Sequence, residues 1–301
     1  MSLALRAFAA DELGTSVRPE IATAARVIGE RLGGVAVLFY GSVLRTGDLD
    51  GLLDFYVLTD RPAHRGLRGL ASRLLWPDIS FEEVQFGDLR VRAKVATMPL
   101  DTFRRAAAGE FIDTTIWTRF VQPSALVWSK GAAAQTVVNA VASAAVTAAR
   151  FAAVLGPVTG SPRSYWKALF RQTYETELRV EKPGREEQIL DFDPGRYDRL
   201  LRLAWDAGGI AYRENGSELR PVVSERTCRQ LTQAWLVRQR WGRALNVARL
   251  VKAAFLLQGA ARYAAWKIQR HTGTQIKLTP WREQHPLLAT PALLWQVWRA
   301  R

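Results

Sequence analysis

The residues that could do chemistry in this sequence lie close together. In the segment LFYGSVLRTGDLDGLLDFYVL, residues 38–58, an apolar run ends at Gly41 and Ser42, and Asp48, Asp50 and Asp54 follow. Glycine lets a backbone approach an anion closely, and N–H groups exposed after such a turn can bind one. Carboxylates beside that turn can hold a divalent cation. Eleven residues separate Ser42 from Asp54, which sits inside a second apolar run. At the spacing that would share its strand face stand Leu52 and Tyr56, neither of them an acid. Asp48 and Asp50 have that spacing, but in the loop. Asp54 is therefore the first candidate metal ligand, Asp50 the second and Asp48 the third. Taken alone, the pattern is equally a turn serine and a strand-edge aspartate. Other chemistries have little to draw on. Cys228 is the one cysteine, which excludes an internal disulfide framework and a cysteine zinc cluster; His64, His271 and His285 leave little for a histidine metal site.

Periodicity shows the elements that must position these residues. Residues 19–32 read as an amphipathic helix with Pro19 near its start and Gly33-Gly34 at its end. Residues 35–40 and 52–60 are β-like runs. Residues 65–75 and 100–108 read as helices. Residues 79–86 and 89–98 form the arms of a hairpin turning at Gly87-Asp88; in the second arm Val91, Ala93, Val95 and Thr97 alternate with Arg92, Lys94 and Ala96. Residues 125–128 suit a last strand. The pattern predicts an α/β domain with a mixed sheet over residues 1–130. Beyond Gly131 the strands largely stop. Helices are expected at 132–155, 163–178, 195–207 and 226–270, with the polar stretch 180–195 as a loop. This predicts an all-helical domain over 131–225 and a basic C-terminal helical region over 226–301.

The chain has 301 residues, 48% hydrophobic and 23% charged, a balance that excludes general disorder. Its formal net charge is +14. Residues 1–225 hold 28 Lys+Arg against 27 Asp+Glu, whereas residues 226–301 hold 14 against the single acid Glu283. The same segment carries six of the eleven tryptophans, Trp235, Trp241, Trp266, Trp281, Trp295 and Trp298. A cationic, aromatic-rich unit suits a polyanion, either nucleic acid or an acidic membrane; the plainer reading is a solvated basic face. The N-terminus has acids by position 11 and lacks the long apolar core of a signal peptide. The uncharged run 131–149 is rich in alanine and carries Gln135, Thr136, Asn139, Ser143 and Thr147, so a buried helix is expected there rather than a membrane span.

The Gly-Ser turn followed by Asp54 resembles the nucleotidyltransferase superfamily typified by DNA polymerase beta. Within it, YGS followed by GLLDFYVLTD (51–60) resembles the mitochondrial-type phosphatidate cytidylyltransferases, the translocator assembly and maintenance family. Further segments resemble that family in the same order. They are LRVRAKVATM (89–98) with Lys94, IWTRFVQPSALV (116–127) with Arg119, Gln122 and Pro123, and TYETELRVEKPGREEQIL (173–190) with Tyr174 and Arg179. The resemblance is piecemeal, covers roughly residues 36–200, and lacks the longer insert the family often carries between Gly-Ser and the aspartate.

The resemblance implies the reaction of CTP with phosphatidate to give CDP-diacylglycerol and pyrophosphate. It implies that Gly41 and Ser42 hold the β- and γ-phosphates, that Asp54 with Asp50 or Asp48 holds Mg²⁺ or another divalent cation, and that Lys94 contacts phosphate. Arg119, Tyr174 and Arg179 become candidates for the phosphatidate headgroup. The basic region would then attach the enzyme peripherally to the inner, cytoplasmic face of an anionic membrane, with no nucleic-acid partner expected. Two alternatives stay open. One is a nucleotidyltransferase acting on RNA or another small molecule, although no aromatic RNP run is visible. The other is a non-catalytic membrane- or nucleic-acid-binding protein with a degenerate nucleotidyltransferase domain.

Overall fold

A computed structural model describes residues 2–47, 52–61, 66–86, 89–177 and 184–256. The chain starts with α1 (Leu3–Leu13), a helix not expected from the sequence, capped by Ser2, whose hydroxyl accepts from Leu5 N–H. It buries Leu5, Phe8, Ala9 and Leu13. α2 (Pro19–Arg31) and β1 (Gly34–Tyr40) follow as the apolar spacing predicts. Next come the five-residue α3 (Ser42–Thr46), β2 (Leu53–Thr59) and α4 (Gly66–Leu74). The predicted hairpin is β3 (Asp78–Phe86) with β4 (Leu89–Pro99). α5 (Leu100–Ala107), the unexpected short helix α6 (Thr115–Phe120) and β5 (Ser124–Ser129) complete the first part.

The five strands form one mixed sheet in the order β3-β4-β2-β1-β5. β2 and β4 run parallel, and every other pair is antiparallel. Strand alternation divides the apolar residues between two faces. Val37, Phe39, Phe55, Val57 and Val95 pack under Ile21, Ala24, Ala25 and Ile28 of α2. Leu38, Tyr40, Tyr56, Leu58, Ala96 and Met98 face the opposite way, into the larger core shared with the helices.

At the centre of that core lies α7 (Ala133–Leu155). Its small side chains let α1, α5, α6 and later helices approach closely. By length and composition α7 could cross a membrane, but 67% of its most apolar window is buried inside the protein, as expected of a core helix. α8 (Pro162–Thr176) is capped by Ser161 and packs on α7.

Two expectations for the region after residue 131 are corrected. The polar stretch 180–195 contains α9 (Arg185–Asp191), held to α8 by Glu187, which pairs with Arg163 and Lys167. α10 (Pro194–Gly208) forms where a helix was expected, with Asp193 accepting from Arg196 N–H. The second part is also not all-helical, because β6 (Ala211–Asn215) and β7 (Glu218–Val222) form a hairpin. Of its ten residues only Leu219 is buried, so the apolar alternation that announces a strand is missing. Gly160 bridges to Leu219, and Tyr165 Oη donates to the Leu219 carbonyl at 2.7 Å, which ties the hairpin to α8.

α11 (Glu225–Leu256) is the described part of the helix expected over 226–270; the tail beyond it lies outside the described residues. It docks on the body with one aromatic side chain and three cations. Trp235 is buried with its ring 5.5 Å from that of Phe151. Arg238 donates to the Gly109 and Phe111 carbonyls at 2.8 and 3.0 Å. Arg249 pairs with buried Asp113, and Lys252 donates to the Leu75 carbonyl at 2.8 Å and to Asp78 at 2.5 Å.

Candidate functional site

β1 ends on two aromatic residues and then turns sharply. Gly41 has φ +95°, a conformation that favours glycine. The need for glycine is steric as well: a Cβ there would lie 2.7 Å from Asp54 Oδ2. The turn backbone and the carboxylate are therefore in direct apposition. Sheet register explains it, since Tyr40 at the end of β1 pairs with Asp54 near the start of β2. Across the parallel pair, Asp54 aligns with Lys94 of β4. Tyr40, Tyr56, Ala96 and Met98 all belong to the larger core, so alternation places Asp54 and Lys94 on that same face of the sheet. Asp54 is half-buried, Lys94 and Ser42 are exposed.

A fourth group arrives from α6. The Arg119 guanidinium lies 4.8 Å from the centre of the Tyr40 ring and 6.0 Å from that of Tyr56. The two tyrosine rings are 5.4 Å apart, and Phe120 meets both edge-on. Burial works against the charge on Arg119, but Tyr40, Tyr56, Glu177 and Asp54 outweigh it and raise its pKa above the ordinary arginine value. Burial likewise pushes the Tyr40 phenol up, with Arg119 opposing. The stack thus holds a permanent, oriented positive charge within the field of Asp54. Glu177, just past the end of α8, is buried and accepts a hydrogen bond from Thr114 Oγ1 at 2.5 Å.

The structure brings Gly41, Ser42, Asp54, Lys94 and Arg119 together where β1 ends and β2 begins, in the interior of the sheet. Tyr174 is buried in the larger core on α8, three residues before Glu177. Gln122 donates back to the Thr118 carbonyl at 3.2 Å, and Pro123 directly precedes β5. Asp48, Asp50 and Arg179 lie outside the described residues. Sequence reasoning missed Tyr40, Tyr56 and Glu177 as parts of the site. Tyr56 was within reach, because its spacing from Asp54 puts both on one strand face.

No protein-family model and no curated protein matches this chain. The resemblance to the cytidylyltransferases therefore rests on its short segments alone. Among the described residues no three His, Cys, Asp or Glu side chains come together as a metal site. The donor set nevertheless fits magnesium in one common mode. Mg²⁺ keeps several waters and takes one or two carboxylates, with substrate phosphate oxygens supplying the rest. Asp54, half-buried beside an open turn, suits that role better than it suits a metal enclosed wholly by protein.

Proposed function

We propose that this protein transfers the cytidylyl group of CTP to phosphatidate, forming CDP-diacylglycerol and pyrophosphate at the cytoplasmic surface of an acidic membrane. The observation that carries the reading is the contact of the Gly41 turn with the Asp54 carboxylate, flanked by Lys94 in register. A glycine turn against a carboxylate, with a lysine in register and an arginine held on the tyrosines, suits a polyphosphate.

The phosphatidate phosphate is already anionic at neutral pH and needs no strong base. One of its oxygens forms a bond to the α-phosphorus, the α–β P–O bond breaks, and pyrophosphate leaves. The barrier lies in bringing anions together, so the protein contributes positioning and charge. The Gly41 and Ser42 backbone receives the β- and γ-phosphates. Lys94 offsets charge from the neighbouring strand. Arg119, fixed on Tyr40, faces the headgroup side without reorganising. Asp54, together with the nucleotide, would hold a magnesium ion, which would supply neutralisation of phosphate charge.

A nucleotidyltransferase acting on RNA is the second reading, and the chemistry at Asp54 would be the same. An RNA partner calls for uncompensated cations on an exposed face. On α10 the arginines are engaged: Arg196 is buried against Glu12, Arg199 lies over Phe8, and Arg202 pairs with Asp198 and Glu214. A lipid headgroup and an RNA backbone would draw on the same exposed cations elsewhere, so the product formed decides between the readings. The test is incubation with CTP, Mg²⁺ and phosphatidate liposomes, with Asp54→Asn alongside. CDP-diacylglycerol from the wild type and its loss in Asp54→Asn are expected. No product from folded wild-type protein, or undiminished product from Asp54→Asn, overturns the proposal.

A further inference from the structure

α11 presents two different sides. One carries Trp235, Arg238, Arg249 and Lys252 into the body. On the other, Leu236, Arg240, Arg243 and Val247 follow at spacings of four, three and four, so they share one exposed face. Along that face α11 and the end of α8 enclose an open groove of about 490 Å³, lined by Glu175, Thr176, Leu236, Gln239, Arg240 and Arg243. Gly242 sets its width: a Cβ there would lie 2.8 Å from Thr176 Cγ2, so the helices meet backbone to side chain. Gln239 is anchored by a 3.1 Å hydrogen bond to Gln172.

The lining has the chemistry of an anion site with an apolar edge. Neither Arg240 nor Arg243 makes an ion pair among the described residues, and Glu175 is the only acid lining the groove. Leu236, which lines the groove, is 56% exposed and gives it an apolar edge. Two guanidinium forks suit a phosphomonoester, which offers paired acceptor oxygens, better than a phosphodiester. The exposed Leu236 suits the glycerol and acyl boundary below it. The sequence beyond Leu256 adds seven more Lys and Arg against Glu283 alone.

We infer that the α8–α11 groove receives the phosphomonoester headgroup of an anionic lipid lying in a bilayer, with Arg240 and Arg243 on the phosphate and Leu236 at the acyl boundary. This deepens the proposed function, on which it rests for the identity of the lipid, by naming where the protein meets its membrane. Glu177 follows Thr176 of the groove wall directly in the chain.

The test is flotation of the full chain, without CTP, on vesicles of phosphatidylcholine with phosphatidate or with phosphatidylserine, matched in surface potential. Wild-type protein is expected to partition more strongly onto phosphatidate. Arg240→Gln/Arg243→Gln should lose about tenfold or more of that partitioning. Arg226→Gln/Arg229→Gln removes the same charge from the exposed start of α11 and should keep the preference for phosphatidate. Both pairs are exposed, so folding is not at stake. Wild-type partitioning by Arg240→Gln/Arg243→Gln, or an equal loss in the two pairs, overturns the inference, because charge alone would then explain binding. Asp54→Asn should float like the wild type. Selective flotation without cytidylyl transfer would leave the groove standing and sink the enzymatic reading; transfer without selectivity would do the reverse.

Discussion

A methyl group added at Gly41 would lie 2.7 Å from Asp54 Oδ2 in a backbone with φ +95°, so strain and carboxylate displacement arrive together. Gly41→Ala is expected to cost about 1–3 kcal/mol in urea unfolding. In the cytidylyltransferase assay it should lower kcat/KM by about a hundredfold, the scale of misplacing a catalytic group by about 1 Å. Loss of stability with full turnover would show that the close contact is structural only. Arg119→Lys keeps the charge but loses the planar face that lies over Tyr40. Turnover should fall about tenfold, with stability lowered by about 1 kcal/mol. Gly41, Ser42 and Asp54 were legible in the sequence because a turn glycine and a strand carboxylate are local signals. The stack of Arg119 on Tyr40 was not, since 79 positions along the chain had to be folded into contact by the sheet and α6.

At the scale of elements, α11 shows how charge in a sequence can mislead. A run of arginines between tryptophans and valines reads as a solvated or membrane-facing helix, yet Arg238 and Lys252 are buried, capping carbonyls of the body. Removing such a cation leaves acceptors without donors. Arg238→Met should lower stability by about 3 kcal/mol, because the Gly109 and Phe111 carbonyls lose their partner, while burial of Arg238, which lowers its pKa, limits the loss. A change under about 0.5 kcal/mol in chemical denaturation would contradict this accounting. Gly242→Ala tests the seam with α8. Alanine improves helix propensity by about 1 kcal/mol, but its methyl would press on buried Thr176, and overpacking costs about 1–3 kcal/mol. A net loss of about 1 kcal/mol is expected, and a gain in stability would show that the seam can open. The β6–β7 hairpin and α9 escaped the sequence for a related reason: their residues are mostly exposed, and tertiary contacts rather than periodicity hold them.

For the whole molecule, one core cluster runs from Leu5 in α1 to Trp235 in α11, across both boundaries drawn from the sequence. A chain ending at residue 224 would expose the Phe151 side of that cluster and lose Trp235, whose removal alone is worth about 3–5 kcal/mol. It should melt at a much lower temperature and bind a hydrophobic dye. A chain ending at residue 256 keeps these contacts and should melt well above the shorter one, so it is the better truncation for measuring what the basic tail adds to membrane binding. Equal melting of the two truncations would show that α11 contributes nothing to the core. The sequence by itself determined the five strands of the sheet, the Gly-Ser turn with its downstream aspartate, and the partition of charge, because each depends on residues near one another along the chain. Only the tertiary structure decided that Tyr40, Asp54 and Lys94 fall in register, that Arg119 lands on the tyrosines, and which cations of α11 turn inward. Those contacts join positions as far apart as the 177 residues between Leu75 and Lys252, and strand order and helix docking, not local spacing, bring them together.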